Sequence, residues 1–414
     1  MQRCCCLKFK VKVMTIIYLK KHKEESLRRF HPWVFSGAIG HVKGQPEEGD
    51  VVAVRSAEGE TLGTGHWQEG SIAVRILEFG VESLQENFWQ ERIKAAYRMR
   101  RDLGLINADN NTYRLVHGEG DFLPGLIVDV YGNTAVVQAH SAGMHRSRTE
   151  IAKAITETVE EVENVYYKSE STLPFRKNFA DIEDGYLIAA DGEKAMHADH
   201  WAKENGLEFK IDWLRGQKTG FFVDQRENRR LVERYSAGRK VLNMFCYTGG
   251  FSVYALRGGA ERVCSVDSSE KAVELVRQNV ERNYPCCARH EAVCADAFDY
   301  LGKVQREGRE SYDLIILDPP AFAKHRGAIR NALQGYKRLN AKAFEMIEKG
   351  GILFTFSCSQ AVDKEMFRLA VFSAAAMSGR KVRILHQLTQ PQDHPVNIYH
   401  PEGEYLKGLV LYVE

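Results

Sequence analysis

The chain has 414 residues, of which 44% are hydrophobic and 27% charged, with a formal net charge of +2. This is the composition of an ordinary soluble globular protein, long enough for two or three domains of ~100–200 residues each. No uncharged apolar run is long enough to span a bilayer, so no membrane partner is expected, and nine cysteines without a secretion signal point to a reducing cytoplasm rather than to disulfides.

The opening MQRCCCLKFKVKVM is basic, but lysines interrupt it too often for the apolar core of a signal peptide. No lipidation pattern surrounds Cys4, Cys5 and Cys6, and residues 1–13 read as an extension ahead of a start at Met14. From Thr15 to Phe79 the texture is β, with VVAVRS, ETLGTGHW and SIAVRILEF separated by Gly, Asp and Glu clusters. That fits a small barrel and a first domain over 14–82. Asn87 to Leu103 carries apolar residues at helical spacing and stops at Gly104. TYRLVHGE, GLIVDVY and TAVVQAH then read as strands, with Gly132-Asn133 as a hairpin turn and a helix from about His145 to Glu161. Residues 83–193 therefore form an α+β middle domain.

After Glu193 strands and helices alternate. KVLNMFC, RVCSVD, YDLIILD and GILFTFSC are short apolar runs of the kind buried in a parallel sheet. Helical patterns lie between them, so residues 194–414 read as a doubly wound α/β domain. VRILHQLTQ and LKGLVLYVE are joined by a loop too short for a helical crossover and are expected to be antiparallel. Lys20–Arg29, Arg92–Arg101 and Lys324–Arg338 are rich in positive charge, which favours a phosphate-bearing partner. Cys286, Cys287, His290 and Cys294 are close in sequence, but adjacent cysteines lack the usual gap between zinc ligands, so no metal is expected.

In doubly wound sheets, ligands collect beyond the carboxyl ends of the strands. In NMFCYTGGFSV (Asn243, Phe245, Tyr247, Thr248 and Gly249 included) a glycine turn leads into a helix N-terminus, suited to close approach by a ligand. Asp267 closes the next strand ~20 residues later, where an acid can hold ribose hydroxyls. Asp296, before Ala297, lies where a carboxylate could meet an adenine amino group. In ILDPPAF two prolines stop the strand and aim Asp318 into the crevice. The GxGxxG of a nicotinamide site is absent. This set resembles the class I S-adenosylmethionine-dependent methyltransferases, in which the glycine turn approaches the methionine part, the second acid the ribose and the third the adenine.

LFTFSCSQ follows the next strand and places Cys358 beside Asp318. Carbon 5 of cytosine is a poor nucleophile. A thiolate added to carbon 6 makes it electron-rich enough to take a methyl group, after which the carbon 5 proton and the thiolate leave. A free thiol with pKa ~8.5 is mostly protonated at neutral pH, so the site must favour the thiolate. Asp318 could support the adduct at the ring nitrogen or amine. Pro319, Phe322, Lys324 and Arg326 follow, suited to stacking on a flipped base and to phosphate contact.

With HPWVFSGAI, GEGDFLPGLIVDVYG, GQKTGFFVDQRENR, LDPPAF, FSCSQ and EGEYLKGL in order, the chain from Ile16 onward resembles the PUA-containing ribosomal large-subunit RNA 5-methylcytosine methyltransferases. The resemblance implies an N-terminal PUA RNA-binding β-barrel, a central α+β domain and a Rossmann-like methyltransferase domain. It also implies S-adenosyl-L-methionine as cofactor, with Gln217 and Arg226 near its methionine end. The implied partner is 23S ribosomal RNA or a large-subunit assembly intermediate in the cytoplasm, and a homodimer is compatible with it. Ala321 stands where many RNA 5-methylcytosine enzymes carry a second cysteine, so another base or water must assist release. Two alternatives stay open: methylation of a base nitrogen with Cys358 merely structural, and a non-catalytic RNA-binding assembly factor.

Overall fold

The computed structural model describes residues 14–174, 179, 182–190, 192, 200–307, 311–323 and 325–414. The expected extension over 1–13, the domain boundary at 193 and Lys324 lie outside the described residues.

The first sheet contains β1 (Ile16–Leu19), β2 (Trp33–Phe35), β3 (Ile39–Lys43), β4 (Val51–Arg55), β5 (Thr61–Trp67) and β6 (Ile72–Phe79), in the order β2-β6-β5-β4-β1-β3. A one-turn helix, α1 (Glu25–Arg28), follows β1. Successive strand residues face opposite sides, so Ile17, Leu19, Val34, Val52, Val54, Val74 and Ile76 share one core. Gly65 in β5 is required by close approach, because a Cβ there would meet the Arg75 carbonyl oxygen at 2.1 Å.

The second sheet has the order β11-β10-β9-β8-β7, from β7 (Thr112–His117), β8 (Leu126–Tyr131), β9 (Thr134–Ala139), β10 (Asn164–Tyr167) and β11 (Gly185–Ile188). Helix α2 (Phe88–Asp102) packs on it through Phe88, Ile93, Ala96 and Tyr97. The hairpin turns at Gly132-Asn133, with Tyr131 opposite Thr134. The helix expected from about His145 to Glu161 is instead two, α3 (Ala142–Arg146) and α4 (Arg148–Thr158). Ser147 leaves helical geometry between them, and Arg148 Nη1 donates to the His145 carbonyl at that break.

A two-stranded ribbon, β12 (Trp201–Glu204) and β13 (Leu207–Lys210), precedes α5 (Arg226–Tyr235). The last sheet comprises β14 (Lys240–Met244), β15 (Arg262–Asp267), β16 (His290–Cys294), β17 (Tyr312–Leu317), β18 (Ile347–Ser357), β19 (Val382–Leu388) and β20 (Lys407–Val413). Its order is β16-β15-β14-β17-β18-β20-β19. The first five are parallel, and β20 is antiparallel to both neighbours, as the short connecting loop requires. Helices α6 (Gly250–Arg257), α7 (Glu270–Asn283), α8 (Ala297–Glu307), α9 (Ile329–Met346) and α10 (Lys364–Ser378) connect and cover them. Leu314 to Leu317 are wholly buried, which explains the unbroken apolar run of β17. The loop between β19 and β20 turns back onto the other two sheets. Its Asp393 accepts from the Arg114 backbone N–H of β7, and its His400 ring packs 4.3 Å from Trp33 of β2.

Candidate active site

Parallel register sets Leu317 beside Met244 on one side and Thr355 on the other. The residues leaving these three strands therefore emerge together: Phe245, Asp318 and Cys358. Gln225 Nε2 donates to Asp318 Oδ2 at 3.0 Å, and Asn228 Nδ2 donates to Gln225 Oε1 at 2.6 Å, which fixes the amide orientation. Burial, reinforced by the charge of Asp224, pushes the Asp318 carboxyl up to about 7. Asp318 is thus poised between acid and carboxylate at neutral pH.

Cys358 departs from the expectation that its surroundings favour the thiolate. Burial first, and the Asp318 charge second, push its thiol up to about 11. The charge of Lys218 acts in the opposite direction.

The serines flanking Cys358 are anchors. Ser357 Oγ donates to Tyr336 Oη of α9 at 2.9 Å, and Ser359 Oγ donates to the Ala323 carbonyl, just beyond ILDPPAF, at 2.6 Å. Lys407, absent from the sequence expectations, completes the clamp. Its buried Nζ donates to the Ser359 carbonyl at 2.5 Å and the Val362 carbonyl at 2.6 Å. Burial lowers its ammonium to about 8. Its signal was the single lysine inside the apolar run LKGLVLYVE, at a position paired with Ser357 across β18.

Phe322, expected to stack on substrate, lies instead against Tyr336, with ring centroids 4.7 Å apart. Pro319 is buried, and Arg326 opens a short 3-10 turn. A cleft of about 620 Å³ opens over Cys358 and Ala321. Its far wall belongs to the second sheet, with Arg114, Gln138 and His140, and Lys218 lies at its edge. None of the candidate residues singled out in the sequence lies on that wall. The available signal was a set of polar residues at strand positions, Arg114 and the buried Asp129 and Gln138.

On the other side of Asp318 the backbone is unusual. Phe245, Tyr247 and Gly249 take positive φ values of 58°, 46° and 80° within five residues. Such left-handed residues persist where the surroundings over-determine them, commonly at ligand sites. Asp267 holds this turn: its Oδ2 accepts from the Tyr247 N–H at 3.0 Å and its Oδ1 from the Ser269 N–H at 3.0 Å. Thr248 is buried, and its carbonyl accepts from Asn279 Nδ2 at 2.8 Å. A Cβ at Gly249 would meet Val276 Cγ1 at 2.9 Å, so only glycine fits. Asp296 is exposed and its Oδ1 accepts from the Phe298 N–H at 2.8 Å, capping α8 ahead of buried Ala297. Gln217 is exposed, and its backbone N–H donates to Tyr247 Oη at 3.1 Å.

Two expected cofactor residues do not reach this crevice. Asn243 is wholly buried within β14, where its Nδ2 donates to Ser252 Oγ at 2.9 Å. Arg226 is also buried, with Nη1 donating to Asp393 Oδ2 at 2.9 Å and Nη2 reaching the same oxygen. Its charge is already matched, so the anion it serves is internal.

Residues 190–399 match a family model described as S-adenosylmethionine-dependent methyltransferase, and residues 17–79 match a PUA-like domain. The "Ribosomal RNA large subunit methyltransferase I" of Tolumonas auensis is 39% identical over 399 residues, covering 96% of this chain and 99% of that protein. The chain belongs to the ribosomal RNA large subunit methyltransferase I family. The protein of that name from Aeromonas hydrophila is 38% identical over 398 residues, 95% of this chain and 98% of its own. A solved methyltransferase structure complexed with SAH superposes with a TM-score of 0.82 at 23% identity, covering 97% of this chain and all (100%) of that one. Another, assigned as a SAM-dependent methyltransferase of Streptococcus mutans, gives 0.81 at 23% identity over 97% of this chain. At that identity both show the fold. The fold is thus an N-terminal PUA-like domain and a Rossmann-like methyltransferase domain, and S-adenosylmethionine is the family's cofactor. The left-handed turn at Phe245–Gly249, held by Asp267 and leading into the N-terminus of α6, fits the close backbone approach that group needs.

Proposed function

We propose that this enzyme forms 5-methylcytosine in 23S ribosomal RNA, through a covalent bond between Cys358 and carbon 6 of the target cytosine. The observation that carries the reading is the emergence of Cys358 and Asp318, both half-buried, from neighbouring parallel strands, with Cys358 lining the cleft. S-adenosylmethionine, when bound at the Phe245–Gly249 turn, supplies the methyl group; Asp267 is assigned to its ribose, Asp296 to its adenine and the Gln217 region to its methionine end.

Asp318, with its carboxyl near 7, is able to present a proton to the cytosine ring nitrogen as negative charge builds there. Giving up that proton restores its own charge, so Asp318 serves best while the base is in place and shields it from Cys358. The Cys358 thiol gives its proton to water as the sulfur adds to carbon 6, carbon 5 takes the methyl group, water or another base removes the carbon 5 proton, and the C–S bond breaks so that the sulfur leaves. The flanking serines and Lys407 hold the sulfur in place throughout. Arg114, His140 and Lys218 offer the RNA backbone and the flipped base a polar wall. The RNA is met free or in an assembly intermediate, in the cytoplasm.

A second reading, methylation of a base nitrogen, gains support from the same Cys358, whose thiol is pushed to about 11 and is therefore protonated at neutral pH. RNA carrying 5-fluorocytosine at the target separates the two. Fluorine cannot leave as a proton does, so a covalent enzyme–RNA complex is expected with the wild type and not with Cys358→Ala. Turnover of methylated product by purified Cys358→Ala rejects the thiolate route.

A further inference from the structure

At the rim of the cleft the first sheet meets the loop between β19 and β20, and three ligand-type side chains converge: His31, His400 and Glu402. The Glu402 carboxylate lies 3.7 Å from His31 Nε2 and 3.7 Å from His400 Nε2. His400 is only 3% exposed, yet neither of its ring nitrogens has a hydrogen-bond partner among the described residues. A buried imidazole left unsatisfied at both nitrogens is unfavourable and calls for a partner. Trp33 does not provide it: its ring stands edge-on to His400, and its Nε1 donates to Glu119 Oε1 at 2.9 Å instead.

We propose that His31, His400 and Glu402 bind a zinc ion that ties the PUA-like domain to the β19–β20 loop. Two imidazole nitrogens and one carboxylate oxygen are a zinc donor set, and they leave one tetrahedral position open to water or to a phosphate oxygen. The three ligand atoms lie within 4.8 Å of one another. Bonds of ~2.0–2.2 Å require them ~3.3–3.6 Å apart, so they draw in by about an ångström. Glu402, half exposed, can make most of that move. His31 Nδ1 accepts from the Trp33 N–H over 3.3 Å, so the ring proton sits on Nε2. Zinc at Nε2 shifts the ring proton to Nδ1, where it faces the Trp33 N–H, so this long contact is lost and the His31 ring turns away from it.

Full-length protein stripped of metal by chelation is titrated with Zn2+ in a calorimeter and with Co2+ in an absorption cell. One equivalent of zinc is expected, with at least tenfold weaker binding in both His400→Ala and Glu402→Gln. Because Glu402 is half exposed, Glu402→Gln keeps the test decisive if His400→Ala fails to fold. The Co2+ complex is expected to show ligand-field bands without a thiolate charge-transfer band. Absence of stoichiometric binding, or unchanged affinity in Glu402→Gln, overturns the proposal. So does a thiolate band that disappears on replacing exposed Cys286 and neighbouring Cys287, because the zinc would then sit on sulfur.

Discussion

Arg226 and Asp393 form a buried ion pair between α5 and the β19–β20 loop, 167 residues apart in sequence, with side chains 2% and 0% exposed. Asp393 also accepts from the Arg114 N–H at 3.0 Å, and its backbone carbonyl accepts from Arg100 Nη2 at 2.8 Å. Burial alone would raise the Asp393 carboxyl, but Arg226 overrides it and holds the group well below the usual carboxylate range. One carboxylate thus joins the methyltransferase sheet to the second sheet that walls the cleft.

Removing one partner leaves the other charge buried and alone. Arg226→Met or Asp393→Ala is expected to cost about 3–5 kcal/mol in urea unfolding, and the double variant less than the sum. A depressed acid contributes stability that is complete above its unfolded pKa of ~3.9 and fades as pH falls below it. The pair is therefore fully effective from pH 5 to 8, and the loss measured in Asp393→Ala should be constant across that range.

The Asp318 charge raises the Cys358 pKa, which predicts the effect of neutralising it. Asp318→Asn should lower the Cys358 pKa and speed its alkylation by iodoacetamide at pH 8 by up to about tenfold, one pKa unit. Peptide mass mapping resolves Cys358 from the exposed Cys286 and Cys294. Methyl transfer should nevertheless fall steeply, because the amide cannot give a proton to the ring. An unchanged alkylation rate would show that the two groups are not coupled.

The same carboxyl predicts a pH profile. Its folded pKa of about 7 lies above the unfolded value near 3.8, so the folded state keeps a proton that the unfolded chain has released. Stability should fall as pH rises from about 4 to 7, and this decline should be shallower in Asp318→Asn. For activity, the alkaline limb with an apparent pKa near 7 is assigned to Asp318 and should be missing in that variant.

Asp267 has two duties that a pair of variants separates. Asp267→Ala loses the bonds from the Tyr247 and Ser269 N–H groups as well as any bond to ribose. Roughly 1 kcal/mol of stability and about tenfold or more in cofactor affinity are expected to go. Asp267→Asn keeps one oxygen for those N–H groups, so stability should recover more than affinity does. Calorimetry with S-adenosylhomocysteine and thermal melts measure the two losses.

Lys407 should matter through the position of Cys358. Lys407→Met frees the Ser359 and Val362 carbonyls and removes a cation near the sulfur. A kcat loss of about tenfold or more is expected with KM for RNA little changed, and the Cys358 alkylation profile should shift to higher pH. Lys407→Arg, which keeps the charge, should restore the alkylation profile more than the kcat. A variant that loses only stability, with both profiles intact, would leave Lys407 without a role at the sulfur.

What the amino-acid sequence determined by itself is local or periodic. Unbroken apolar runs marked the parallel strands, Gly132-Asn133 the hairpin, and the acids Asp267 and Asp318 the ends of their strands, because strand ends and turns announce themselves within a few residues. Only the tertiary structure decided what those groups can do. The elevated pKa values come from desolvation first, reinforced by the charge of Asp224 at Asp318 and by that of Asp318 at Cys358 across two strands. Arg226 looked like a cofactor ligand until Asp393 arrived from far along the chain to claim it. Lys407, Arg114 and the far wall of the cleft stayed hidden for the same reason. A charge's role depends on its dielectric surroundings and nearest partner, and both are set by which distant segments fold against it.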